Sequence, residues 1–252
     1  MDAWIAFGRG PLFRIAFALM LLGLLRLLFL TLTGIVEAYR RSPDKIVNWR
    51  EVRRQTIAWL IPAGRLWNQR AGYSSLSFIF HLGLLISPLF LVAHARLWRG
   101  GIGFAWPALP LSLINWLTLL AILAGLGLIL ARAFGRSTRK LSRTQDYFWL
   151  ALLIAPFLTG YLCVNAAAGP RAYEWLMLVH IYSADLILLL VPFTKLSHCI
   201  LSALSQVVTA VAWKFPAGAG DRVAATLGYA DRPNWIKDAR LTLPEPAPEV
   251  KP

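Results

Sequence analysis

Five stretches of this chain, at about 12–36, 75–98, 109–133, 147–165 and 173–200, are apolar for long enough to cross a bilayer. A crossing needs roughly 20 apolar residues as a helix. Inside lipid every backbone amide must find its partner within the protein, so only helices and closed barrels qualify. The weak alternation of a barrel strand is absent from these runs. Composition agrees: 58% of residues are hydrophobic and 15% charged, against about 25% charged in an ordinary soluble domain. The expected fold is therefore an all-α integral membrane protein, a five-helix transmembrane bundle at 1–200, with no large domain outside the membrane. The first run is longer than the apolar core of a signal peptide and lacks a small-residue cleavage pattern, so it is expected to be retained.

The charge distribution orients the bundle. Lys and Arg number 26 against 12 Asp and Glu, a formal net charge of +14. The excess falls in loops between spans, which argues for topology and against nucleic-acid binding. The segment 37–72 carries Arg40, Arg41, Lys45, Arg50, Arg53 and Arg54, and the next loop on that side carries Arg132, Arg136, Arg139, Lys140 and Arg143. The opposite loops hold Arg96 and Arg99, then Arg171 alone. Cytoplasmic loops are the basic ones, so the N-terminus is expected outside and the C-terminus in the cytoplasm of a multi-pass inner (cytoplasmic) membrane protein. Arg9 and Arg14 run mildly against this. Within 37–72, residues 46–61 mix apolar residues with arginines at helical spacing and stop at Pro62. That pattern suits an amphipathic helix on the inner leaflet, whose arginines serve either lipid or a docking subunit. Residues 201–252 are expected to form a cytoplasmic tail, semi-apolar at 202–215 but too short and too polar there for a sixth span, and from Pro216 on ordered only against a partner.

The chain has four histidines, and all lie in two of the five runs. His180 and His198 bracket the fifth run. Eighteen residues at about 100° each return to the same azimuth, and a rise of about 1.5 Å per residue separates the two by about 27 Å. One histidine then stands near each surface of a bilayer core about 30 Å thick. His81 and His94 repeat the arrangement in the second run, which crosses in the opposite direction. Antiparallel helices pair His81 with His198 on the inside and His94 with His180 on the outside. Neutral imidazole is a standard axial ligand of haem iron, and a six-coordinate b-type haem takes two. Two helices with two histidines each would hold two haem b. The same residues could bind copper or zinc, or relay protons. Thirteen residues between His81 and His94 leave their rings about 140° apart on a straight helix, so a kink at Pro88 must turn the second ring.

Other residues carry narrower expectations. Arg26 stands well inside the first span, where it would meet a haem propionate or snorkel to the inner surface. Lys195, three residues before His198, has the same two options. Asp185, about 7.5 Å of helix rise from His180, is either a proton acceptor or a structural polar group. Cys163 and Cys199 are too few for an iron–sulfur cluster, and no haem-attachment motif is present. Both read as small buried residues.

Three segments together also carry a resemblance. Phe80-His81-Leu82-Gly83, then Arg143-Thr144-Gln145-Asp146-Tyr147 with Thr159-Gly160, and most specifically Pro192-Phe193-Thr194-Lys195-Leu196-Ser197-His198 resemble the dihaem cytochrome b family typified by the respiratory nitrate reductase gamma subunit. Relatives in that family serve sulfite-reduction-associated and heterodisulfide-reductase-like membrane complexes. The resemblance covers residues 75–199. It implies that His81, His94, His180 and His198 are the haem ligands, in the pairing given above. It further implies a membrane-anchoring subunit of a respiratory oxidoreductase complex. Such a subunit exchanges electrons between a quinone or menaquinone pool and a cytoplasmic iron–sulfur subunit, through an outer and an inner haem, with further catalytic subunits beyond. The quinone site it implies would lie near the outer haem, with His94, Arg96, Arg99 and Asp185 as the candidates here. The longer His81–His94 spacing, the larger segment 37–72 and the unmatched tail depart from the nitrate reductase pattern and point to the sulfur-metabolism or other non-nitrate branches. Readings from other classes are a stand-alone transmembrane electron carrier of cytochrome b561 type, and a non-redox membrane anchor or metal transporter. No internal repeat favours the transporter.

Overall fold

The computed structural model describes residues 1–60, 65–104, 106–166, 169–212, 214 and 218–228. Among these the regular structure is entirely helical. Helix α1 (Asp2–Arg41) is followed by α2 (Trp49–Leu60), α3 (Arg65–Phe90), α4 (Val92–Ile102), α5 (Leu111–Phe134), α6 (Arg136–Leu141), α7 (Thr144–Asn165), α8 (Pro170–Leu190), α9 (His198–Ala212) and α10 (Ala219–Thr226). Six helices are long and apolar enough to cross a membrane: the five expected, and a stretch at Lys195–Ala212 that includes α9. Large apolar side chains such as Leu22, Phe29, Trp116 and Leu130 are exposed around the bundle, as a lipid-facing surface requires.

Helices α3, α5 and α7 form the tightest part. Phe80, Ala121, Ala124, Leu128, Leu150, Ile154 and Phe157 make one buried cluster. Small residues let these helices approach. A side chain added at Gly83 would meet Ala121 Cβ at 2.5 Å and the Leu117 carbonyl at 2.9 Å, and one at Gly125 would meet Ile154 at 2.8 Å. Close backbone contact of this kind replaces the hydrophobic effect that lipid removes. Arg132 ties one end of these three helices together. Its guanidinium donates to the Tyr73 hydroxyl on α3 at 3.0 and 3.1 Å and to the Asp146 carbonyl on α7 at 2.9 Å.

The order of packing is α3 on α5, α5 on α7, α7 on α8, and α8 on α1. Helix α3 has no comparable packing on α8, so the four-helix set α3, α5, α7 and α8 is open along one seam. The histidines lie on that seam.

Helix α1 is 40 residues long, about 60 Å at the usual rise and roughly twice the bilayer core. Near its start Pro11 has no amide hydrogen to donate, and the chain makes a π turn at Gly8–Leu12. Its partners succeed one another in chain order. Gly8 accommodates Ile181, Gly23 accommodates Pro192, and beyond the end of α1 Asp44 receives Lys214 at 2.6 Å. Helices α8 and α9 therefore run in the same direction along α1, one after the other. The Lys214 hydrogen bond, with the Ile46 amide, holds the Asp44 carboxyl below the usual carboxylate range. Lys45 closes the end of α1 by donating to the Tyr39 and Arg40 carbonyls, the C-terminal groups a helix leaves free.

Three expectations are corrected. The second apolar run is two helices: α3 ends at Phe90, and Leu91 (φ −68°, ψ 132°) is extended before α4 begins. The fifth run breaks as well. Helix α8 stops at Leu190, short 3-10 turns follow at Val191–Phe193 and Lys195–Ser197, and His198 opens α9. Pro192 cannot continue an α-helical ladder, and the Thr194 hydroxyl donates to the Leu190 carbonyl and accepts from the Leu196 amide. His180 and His198 are thus not on one straight helix. Third, the expected tail is ordered at 201–212, where α9 packs on α1 and α2. The expected amphipathic connection is present as α2, with Glu51 paired to Arg54 at 2.6 Å. Pro62 and residues 229–252 lie outside the described residues.

Candidate functional site

The broken helices bring the histidines together in two pairs. His81 of α3 and His198 at the start of α9 have ring centroids 6.0 Å apart and planes at 81°. His94 of α4 and His180 of α8 have centroids 5.9 Å apart and planes at 14°. These are the pairs expected from antiparallel spans.

The break at Leu91 shows how His94 gets there. Pro88 is seven residues after His81, and seven steps of about 100° fall about 20° short of two full turns. The Pro88 carbonyl therefore stands on nearly the azimuth of His81, about 10 Å further along. Where α3 ends, three successive carbonyls lose their helical partners and all three are taken up. Pro88 accepts from His94 Nδ1 at 3.1 Å and from Trp98 Nε1 at 3.5 Å, Leu89 from Trp106 Nε1 at 2.7 Å, and Phe90 from the Leu109 amide at 3.0 Å. The chain folds His94 back over Pro88, and the 140° discrepancy of a straight helix disappears.

All four rings are held alike. His81 Nδ1 bonds the Ser77 carbonyl at 2.7 Å, His94 Nδ1 the Pro88 carbonyl at 3.1 Å, His180 Nδ1 the Pro156 carbonyl at 2.8 Å, and His198 Nδ1 the Lys195 carbonyl at 2.8 Å. A carbonyl only accepts, so each Nδ1 carries the proton and each Nε2 keeps its lone pair. Metal-binding histidines are oriented in this way by their second nitrogen. Four repetitions are hard to reconcile with four independent packing residues. Gly160 completes the outer pair: a Cβ there would lie 2.9 Å from Cε1 and 3.0 Å from Nδ1 of His180. Only glycine leaves room for the ring over the α7 backbone.

Two imidazoles on opposite sides of one metal, each about 2 Å from it, have their centroids about 6 Å apart. Both pairs match. Neither has a third His, Cys, Asp or Glu to complete a protein-only metal site among the described residues. The donor set fits a group that brings its own equatorial ligands and takes two axial imidazoles, and the unpacked seam between α3 and α8 is where a flat group would enter.

The remaining expected site residues are scattered. Lys195 pairs with Asp146, with Nζ and Oδ1 2.6 Å apart. Arg26 is exposed on α1. Arg96 and Arg99 are exposed on α4, whereas Asp185 is 5% exposed, and Oδ2 has no hydrogen-bond partner. It lies one turn along α8 from Ile181, the residue seated against Gly8 of α1. No hydrogen bond or ion pair among the described residues joins Asp185 to Arg96 or Arg99. Sequence reasoning missed the four carbonyls, which have no residue signature. It quoted Gly160 without its role.

This fold defines a multi-pass helical membrane protein with two facing histidine pairs. The chain is similar to a protein of Nitratidesulfovibrio vulgaris strain Hildenborough, at 32% identity over 205 residues, covering 80% of this chain and 89% of the relative. The chain belongs to the family of that protein. No family model matches the chain, and no solved structure matches it.

Proposed function

We propose that this protein is a dihaem cytochrome b of the kind its motifs resemble, with His81 and His198 holding an inner haem and His94 and His180 an outer one. The observation that carries this reading is the fourfold Nδ1-to-carbonyl bond, which leaves four Nε2 lone pairs in two pairs at axial-ligand separation. Bound there, haem b supplies a reversible one-electron couple at each of two depths in the bilayer. The residues fix ring orientation and, in the neutral ring, set the tautomer that leaves Nε2 free for iron. With quinone or menaquinone as the membrane-soluble partner, the protein exchanges electrons with a cytoplasmic iron–sulfur subunit. The exposed inner pair and the arginines of α2 face that side.

In this reading the bundle crosses the membrane five times, with the N-terminus outside. The succession Gly8–Ile181, Gly23–Pro192 and Asp44–Lys214 along one long α1 favours α9 as an inward continuation of α8 rather than a return crossing.

Replacement of the ligands tests the assignment. His94→Ala or His180→Ala should remove the outer haem and leave one per chain, and His81→Ala or His198→Ala should remove the inner one. The two classes should leave spectrally distinct remaining haems. Two haems retained in any one of these variants would reject the pairing.

A further inference from the structure

We propose that a quinone or quinol headgroup binds in the cleft between the outer ends of α1 and α8, with Arg9 and Glu174 as its polar contacts. This rests on the reading of the protein as a quinone-linked cytochrome b, and it moves the headgroup away from Arg96, Arg99 and Asp185.

The cleft measures about 470 Å³ and is lined by Asp2, Arg9, Tyr173, Glu174 and Met177 among others, a size within the usual range for small-molecule sites. Arg9 enters it with little to hold. Its guanidinium donates to Met177 Sδ at 3.5 Å, and a thioether is a weak acceptor for a group with five donors. Two carboxylates, Asp2 and Glu174, line the same space, yet no ion pair among the described residues joins either to Arg9. The cleft therefore offers unmatched donors and unmatched acceptors together. A free anion would be repelled by the carboxylates, and a cation by the guanidinium. A neutral molecule carrying both an acceptor oxygen and a hydroxyl satisfies both sides. The quinol does so in full, one hydroxyl oxygen accepting from Arg9 while a hydroxyl donates to Glu174, whereas the quinone, with carbonyls alone, satisfies Arg9 only.

Position supports the same choice. Met177 is three residues before His180 on α8, about 4.5 Å of helix rise, so a ligand against Met177 is one turn from the outer histidine pair. Arg9 is near enough to His180 and Cys163 for its charge to act on both. On the other flank of the same two helices, Met1, Trp4, Trp175, Leu178, Val179 and Tyr182 line an apolar groove.

The test is equilibrium binding of tail-less 2,3-dimethyl-1,4-naphthoquinone, oxidised and reduced, to the haem-loaded full chain in detergent, followed by calorimetry. Arg9→Ala should weaken binding of both forms, and Glu174→Gln that of the reduced form, by about tenfold or more, as expected for lost charge-assisted hydrogen bonds, with haem content unchanged. Arg9→Lys, which keeps the charge and loses the fork, should fall between. Wild-type affinity for the reduced form in these variants, or a loss confined to Arg96→Ala and Arg99→Ala, would overturn the cleft while leaving the quinone reading intact. Failure of the wild-type dihaem protein to bind either form would overturn both.

Discussion

At the scale of single residues, the site depends on what each imidazole does with its Nδ1. In all four cases that nitrogen meets a backbone carbonyl, and orienting contacts of this type usually change metal affinity by about 10- to 100-fold. Gly160 is the place to test this without touching a ligand. In Gly160→Ala the new Cβ would stand 2.9 Å from His180 Cε1, too close for the ring to stay, and the bond to the Pro156 carbonyl would be strained or lost. Retention of the outer haem through detergent washing should fall by about 10- to 100-fold, with the inner haem and the helix content unchanged. Two haems with wild-type retention would show that the Nδ1 contact does not hold the ring. The pairing of His81 with His198 and of His94 with His180 was legible from span direction alone. The carbonyls that orient the rings were not, because every residue has one, and which of them is free depends on where a helix breaks.

Those breaks belong to the scale of helices, and there the sequence was partly misleading. The eighteen-residue spacing of His180 and His198 reads as one face of one helix, but the chain interrupts that helix at Pro192 and Thr194 and restarts it at His198. In the second run Pro88 announced a kink, but not a full stop at Phe90 with Leu91 extended. Three carbonyls freed there are satisfied by His94, Trp98, Trp106 and Leu109, contacts from later residues that no local pattern predicts. Pro88→Ala restores the amide that an unbroken helix needs, a change of about 3 kcal/mol in helix preference. It should draw Leu91 into α3, turn His94 away from His180, and reduce haem content from two to one per chain, the inner haem remaining. Unchanged haem content would mean that the tryptophans and Leu109 hold the break without the proline.

For the whole molecule, the helical membrane fold was legible from five apolar runs, whereas the place of the sixth apolar helix was not. Composition alone counts Lys195–Ala212 as long enough to cross. Its packing along α1 and α2, and the meeting of Lys214 with Asp44, are long-range contacts. Five crossings put the two termini on opposite sides of the membrane, and six put them on the same side. Reporter fusions at Met1 and after Gly228 should respond to opposite compartments, the N-terminal one outside. Matching responses would establish an even number of crossings and reject α9 as a continuation of α8.

The haem itself is the central claim, and its stoichiometry tests it most directly. Protein purified from cells with adequate haem supply should give a reduced b-type spectrum and a pyridine haemochrome count of two per chain. A preparation that is folded and membrane-inserted but carries no haem would contradict it.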